Sequence, residues 1–252
     1  MTALTYTHSP SLTPLTTQSP QTLSATSNPP IDYLMTSVMV LRQPQPPSPS
    51  AFQNNSQKPQ VLLLRRHPQD SYPLKWEPPG GSIDPSDPTV LSAATRELHE
   101  ETNLSNPHFH TWVAMARELP TEDAARMKNW GVQPEEELAR DVEVKIDEAG
   151  GVVMVTTFLE TKNVWGKMNF VATVDEGAEV EIDPEEHVEW GWFTEEEVRR
   201  GRAVLPLENG NGSVNGEKEE KEKERVLEFT SRAVWGSVLE AFRVGRELGV
   251  IA

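Results

Sequence analysis

Glu97, Glu100 and Glu101 fall at i, i+3 and i+4 of a stretch that reads as a helix, with Trp76-Glu77-Pro78-Pro79-Gly80-Gly81 upstream. On a 3.6-residue period these carboxylates converge on one side. Each like-charge helical pair costs roughly 0.2–0.5 kcal/mol. A hard divalent cation with oxygen ligands turns that repulsion into attraction. A fold that keeps such a helix must turn its acidic stripe toward a cleft behind the glycine loop and bury the neighbouring stripe.

The pattern predicts a helix from Pro88 to about Thr102, with the Asp87 side chain as cap and Pro88 at the first helical position. Leu91, Ala94 and Leu98 form the core stripe, and Ala93, Glu97, Glu100 and Glu101 the adjacent one. Asn103 suits a left-handed C-terminal cap, after which Leu104 returns to the core.

Taken together, these residues resemble the Nudix hydrolase signature, in which a glycine and a glutamate precede Arg-Glu-apolar-x-Glu-Glu-x-Gly-apolar. Arg96, Glu97, Leu98, Glu100, Glu101 and Leu104 occupy their expected places, with Asn103 standing for the second glycine. The first half departs from the pattern: one extra residue follows Gly81, and Pro88 stands where the glutamate belongs. Asp87 either replaces that glutamate or caps the helix.

The resemblance implies an α/β fold, a Nudix-type α/β/α sandwich with a mixed sheet. It implies hydrolysis of a diphosphate linkage in a nucleoside diphosphate derivative. Mg²⁺ or Mn²⁺ would be held by Glu97, Glu100 and Glu101 with the Gly81 carbonyl. Arg96 would orient a carboxylate. Glu100 is the first candidate for general base, and a carboxylate outside the motif is the second; Glu185, Glu186 and Glu189 are available in an acidic stretch where plain solvated surface is the competing reading. Pro120, sixteen residues beyond Leu104, is a hint of ADP-ribose-type members, while the tyrosine that marks dinucleoside polyphosphate members is missing at 120–122. ADP-ribose or a nucleotide sugar leads. The rivals are a non-nucleotide diphosphate such as a prenyl ester, and a Nudix-fold module that binds a nucleotide or protein without cleaving it.

Outside the motif the residues leave alternatives open. Arg65 and Arg66 either hold a phosphate or end an edge strand. Trp76 stacks on a base or packs its loop. His99 reads as a solvent-facing spacer, and His108 and His110 alternate on a strand without a third ligand nearby.

Organisation follows from composition shifts. Residues 1–30, rich in Ser, Thr and Pro, read as a disordered tail. Residues 31–205 read as the Nudix domain, 206–224 as a flexible Gly/Asn then Glu/Lys loop, and 225–252 as an amphipathic helix packed on the domain, with Leu227, Val234, Val238 and Phe242 on its inner face. Within the domain, Tyr33–Leu41 is apolar on both faces, as in a central strand. Pro44–Lys58 reads as a surface loop before a strand at Val61–Leu64. Further strands are expected at Phe109–Arg117, Val142–Asp147, Val152–Phe158, Met168–Val174 and Glu189–Phe193, with Thr194 and Glu197 as a capping box. The 120–141 insertion carries no diagnostic pattern.

A net charge of −16 disfavours nucleic acid and anionic membranes, which need basic surface. A small phosphorylated substrate stays admissible, because a metal neutralises it. The absence of cysteine excludes disulfides, zinc-thiolate sites and thiol catalysis. No apolar run is long enough to span a membrane and no signal peptide is visible, so cytoplasm is expected, with nucleus admissible. A homodimer is admissible, but no stripe specifies an interface.

Overall fold

The computed structural model describes residues 4–28, 30–44, 58–114, 140–146, 151–160, 162–206 and 222–252. Its elements in chain order are β1 (Thr7–His8), a 3₁₀ helix (Pro10–Thr16), α1 (Pro20–Thr26), β2 (Tyr33–Arg42), β3 (Gln60–Arg66), β4 (Trp76–Glu77), α2 (Val90–Thr102) and β5 (His108–Val113). After these come β6 (Arg140–Lys145), β7 (Val152–Glu160), β8 (Asn163–Thr173), β9 (His187–Thr194), α3 (Glu195–Arg200), β10 (Arg202–Pro206), β11 (Glu222–Val226) and α4 (Arg232–Glu247).

Strand β2 is central because both its faces are apolar. Val38 and Val40 enter one core with Leu62 and Leu64 of β3, whereas Met39 and Leu41 enter the opposite core with Val61 and Leu63. This alternation sets a helical layer on each side of the sheet. Val90, Leu91, Ala94 and Leu98 of α2 pack into the first core, and Trp235, Val238 and Phe242 of α4 into the second. The expected α/β/α sandwich is therefore observed. Truncating a fully buried side chain such as Leu98 to alanine would cost about 2–5 kcal/mol.

The sheet is mixed. β2 runs parallel to β8 from Tyr33↔Trp165 to Val40↔Ala172, and β5 and β7 both pair antiparallel with β8. β3 pairs with β9 along its length but meets β2 only at Leu41↔Val61 and Arg42↔Gln60. The two strands then diverge, and the chain from Pro79 to Ile83 lies along β2. Val38 N–H donates to the Pro79 carbonyl at 2.8 Å, Thr36 N–H to Gly81 at 2.8 Å, and Ile83 N–H to Leu34 at 3.0 Å.

Several sequence expectations are corrected. The N-terminal stretch is not a disordered tail: β1 pairs with β5, and Leu12, Leu15 and Leu23 are buried in the same core as α2. Helix α2 begins at Val90 rather than Pro88, and its cap is Thr89, whose hydroxyl accepts from Ser92 N–H. Asp87 does not cap it, because its carboxylate is taken by Arg96. The C-terminal helix begins at Arg232, not Arg225. Arg225 belongs to β11, which pairs with β10 and brackets part of the expected 206–224 loop.

Other expectations match. Asn103 adopts the left-handed cap with φ 56°, and Thr194 with Glu197 forms the capping box. Trp76 packs: it is fully buried, with its ring edge-on to Phe193 at 5.0 Å between centroids. The loop after Pro44, residues 115–117 of the strand expected at Phe109–Arg117, nearly all of the 120–141 insertion, the 147–150 turn and the centre of the 206–224 loop lie outside the described residues.

Candidate active site

The glycine loop and α2 are fitted to one another at contact distance. Gly80 has φ +147°, and a Cβ there would lie 2.3 Å from the Thr36 carbonyl oxygen, so only glycine lets the loop run this close to β2. Its backbone N–H donates to Glu101 Oε2 at 2.7 Å. A Cβ on Gly81 would meet Glu97 Oε2 at 2.6 Å.

Arg96 organises the same end of the helix. Its Nε and Nη2 donate to the two oxygens of Asp87 at 3.2 and 2.8 Å, and Nη2 also to the Ser82 carbonyl at 3.1 Å. Nη1 donates to Glu97 Oε1 and Glu100 Oε2, each at 2.8 Å. The hydrogen bonds to Asp87 lead the causes that raise the Arg96 pKa, so the guanidinium stays charged. Asp87 thus does physically what a carboxylate one position later could do: it clamps the arginine across the loop.

Glu97 and Glu101 line a cleft with Arg66, Glu185, Glu186 and His187. Burial raises the Glu97 pKa, helped by the charges of Glu100 and Glu186 and opposed by Arg96. Burial pushes Glu101 well above the usual carboxylate range, with Glu77, Glu97 and Glu186 adding to it and the Gly80 N–H opposing. Beneath them Glu77 is held below its ordinary value: burial acts upward, but His187, Arg66 and Lys167 together outweigh it.

His187 was not singled out in the sequence. It is 2% exposed, and neither ring nitrogen has a hydrogen-bond partner among the described residues. Its Nε2 stands 3.9 Å from Glu77 Oε1 and 4.0 Å from Glu101 Oε1. One ligand atom from each of Glu101, Glu186 and His187 lies within 4.8 Å of the others. Mutually repelling carboxylates, Glu101 buried and Glu186 exposed, beside an unbonded imidazole form a donor set that suits a divalent cation.

Of the predicted site residues, the structure brings together Glu97, Glu101 and Gly81. The Gly81 carbonyl already accepts from Thr36 N–H, which leaves one lone pair. Glu100 stands apart: its side chain is 55% exposed and turned onto Arg96, and it does not line the cleft. Among the outlying carboxylates, Glu185 and Glu186 reach the cleft, while Glu189 is held by Arg65 at 3.1 Å and Arg225 at 2.6 Å. Of the arginine pair, Arg66 faces the cleft, bonded to Glu77 and Asp70. His99 is half-buried against the Leu104 carbonyl rather than solvent-facing, and His108 and His110 meet edge-on, away from the cleft.

The family model of the NUDIX domain matches residues 44–213, well over half of the chain. The chain belongs to the Nudix family, and its structural neighbours are Nudix hydrolases. Solved structures similar to it include an Ap4A hydrolase from C. elegans in a binary complex, with 16% identity over 85% of this chain and 98% of that chain and a TM-score of 0.44. The MutT protein of Methanosarcina mazei Go1 shares 17% identity over 66% of this chain and 79% of its own, with a TM-score of 0.38. RenU, a Nudix hydrolase of M. smegmatis, shares 17% over 87% and 88%, with a TM-score of 0.41. No curated protein sequence matches the chain. Identities this low say nothing about substrate. Among the described residues, no helix is long and apolar enough to cross a membrane.

Proposed function

We propose that this Nudix hydrolase requires Mg²⁺ or Mn²⁺ and cleaves a diphosphate linkage in a nucleoside diphosphate derivative, of the ADP-ribose or nucleotide-sugar type. The observation that carries the reading is the pair of carboxylates, buried Glu101 and partly buried Glu97, both with raised pKa, lining one cleft with Glu186 and the unbonded His187. Groups arranged to repel one another out of water are costly to keep unless a cation joins them.

Glu97, Glu101 and His187 would hold the ion, with the free lone pair of the Gly81 carbonyl beside them and the exposed Glu186 carboxylate next to the site. When bound, a divalent ion neutralises the diphosphate and makes an attacking water more acidic. The protein's own groups do the positioning. Gly80 N–H fixes the rotamer of Glu101, and Arg96, anchored by Asp87, fixes Glu97. The general-base role fits Glu186 better than Glu100: Glu186 is exposed within the cleft, whereas Glu100 is turned outward onto Arg96.

The test is incubation of the full chain, with and without Mg²⁺ or Mn²⁺, with ADP-ribose, nucleotide sugars, dinucleoside polyphosphates, nucleoside triphosphates and prenyl diphosphates, following released phosphate products. Metal-dependent cleavage of ADP-ribose or a nucleotide sugar supports the reading. Metal binding with no cleavage across the panel would point instead to a binding module.

A further inference from the structure

A second cavity, about 290 Å³, opens on the α4 side of the sheet and shares Arg66, Gly80, Gly81 and Ser82 with the carboxylate cleft. Strand alternation builds its floor. On β8, Met168 and Phe170 point into the α2-side core, so Lys167 and Asn169 point the other way, into the cavity. Register sets Lys167 between Met35 of β2 and Thr156 of β7, both cavity-lining. The wall comes from the first turns of α4, at Ala233, Val234 and Ser237, which lie beyond the residues matched by the family model.

Two polar needs are unmet there. Lys167 is partly buried, and among the described residues its ammonium has no hydrogen bond or ion pair; Glu77, Glu101 and Arg66 act on it only through space. Asn169 is 2% exposed and donates from Nδ2 to Ser237 Oγ at 3.4 Å, but its Oδ1 has no partner. Alternate residues of one strand stand roughly 6.6–6.8 Å apart. A ligand that satisfies both brings an anionic oxygen to Lys167, next to the carboxylate cleft, and an O–H or N–H donor to Asn169 deeper in the cavity.

We propose that Lys167 and Asn169 bind the substrate beyond the reacting phosphorus, Lys167 through an oxygen of the phosphate that carries the organic group and Asn169 Oδ1 through a hydroxyl or amine of that group. The substrate class is then a diphosphate esterified to a hydroxylated or amine-bearing group, such as a sugar or nucleoside, and not to a hydrocarbon chain, which would bury the Asn169 acceptor unsatisfied. This rests on the hydrolase reading for the reaction, though not for the binding.

The test is calorimetric binding to the full chain, with Mg²⁺, of two ligands whose bridging oxygen is replaced by methylene: an ADP-ribose analogue and a geranyl analogue. The wild type should bind the ADP-ribose analogue at least about tenfold tighter than the geranyl one. Lys167→Met should weaken both by about tenfold or more, and Lys167→Arg should recover most of the loss. Asn169→Leu should weaken the ADP-ribose analogue by about tenfold and leave the geranyl analogue unchanged or tighter. Equal wild-type affinity for the two ligands, a comparison that needs no variant, overturns the proposal; so does wild-type affinity for the ADP-ribose analogue in folded Lys167→Met and Asn169→Leu. Binding in the expected pattern by a wild type that hydrolyses nothing would defeat the hydrolase reading and leave this subsite standing.

Discussion

The backbone N–H of Gly80 donates to Glu101 Oε2 at 2.7 Å, tying the glycine loop to the end of α2 across the cleft. That bond exists because Gly80, at φ +147°, can lie against the Thr36 carbonyl, where a Cβ would stand only 2.3 Å away. Gly80→Ala should therefore destabilise the fold by about 1–3 kcal/mol and release Glu101 from its rotamer. Chemical denaturation and turnover, measured on the same preparation, should both fall. A variant as stable and active as the wild type would show that the loop is not clamped in this way.

Asp87 is predicted to act through Arg96. Asp87→Asn removes the charge that holds Nε and Nη2, leaving the guanidinium to Glu97 and Glu100. Turnover should drop about tenfold and stability by about 1–3 kcal/mol, less than for a fully buried pair because Arg96 is partly exposed. The check is kcat beside a denaturation curve; a drop in neither would reduce Asp87 to a loop residue.

The α2 motif was legible in the sequence because a helix repeats every few residues, so Leu91, Leu98, Glu97 and Glu101 declare their faces without knowledge of any partner. What α2 faces was not legible. His187 joins the site only through the antiparallel pairing Arg66↔His187, and an acidic neighbourhood hides it. Lys167 was missed because the apolar run suggested a strand from Met168, whereas β8 begins at Asn163 and its alternation carries Lys167 and Asn169 into the cavity. In the N-terminal stretch Leu12, Leu15 and Leu23 are too sparse among Ser, Thr and Pro to show a period, yet each is fully or almost fully buried. Asp87-Pro88 looked like a helix start because both residues suit one; a partner nine residues along the chain decided otherwise.

The raised Glu101 pKa fixes the sign of a pH effect on the metal-free protein. Burial and neighbouring carboxylates make the folded state hold this proton more tightly than the unfolded chain does. Its contribution to stability is fully present below the unfolded carboxylate pKa and is lost as pH rises through the folded value. In chelator, the gain in thermal midpoint from Glu101→Gln should therefore grow as pH rises from about 4 toward 7. A midpoint difference independent of pH would contradict the buried, repelled state of Glu101.

His110 gives the opposite sign. Burial, with help from His108, lowers its pKa to about 4. Stability from the neutral ring is present above the unfolded value of about 6.5 and is lost as pH falls from there toward the folded value. Ring resonances followed by NMR should show His110 titrating near 4. In His110→Gln the acid-side loss of stability should be shallower; an ordinary histidine titration would contradict the prediction.

The most direct test of the central claim is the initial rate of Mg²⁺- or Mn²⁺-dependent ADP-ribose hydrolysis by the wild type and by Glu101→Gln, which removes one charge at nearly constant volume. The wild type should turn over only with metal. The variant should lose about a hundredfold or more in kcat while its far-UV spectrum and thermal midpoint show an intact fold. A Glu101→Gln protein that hydrolyses at the wild-type rate would contradict the assignment of the site.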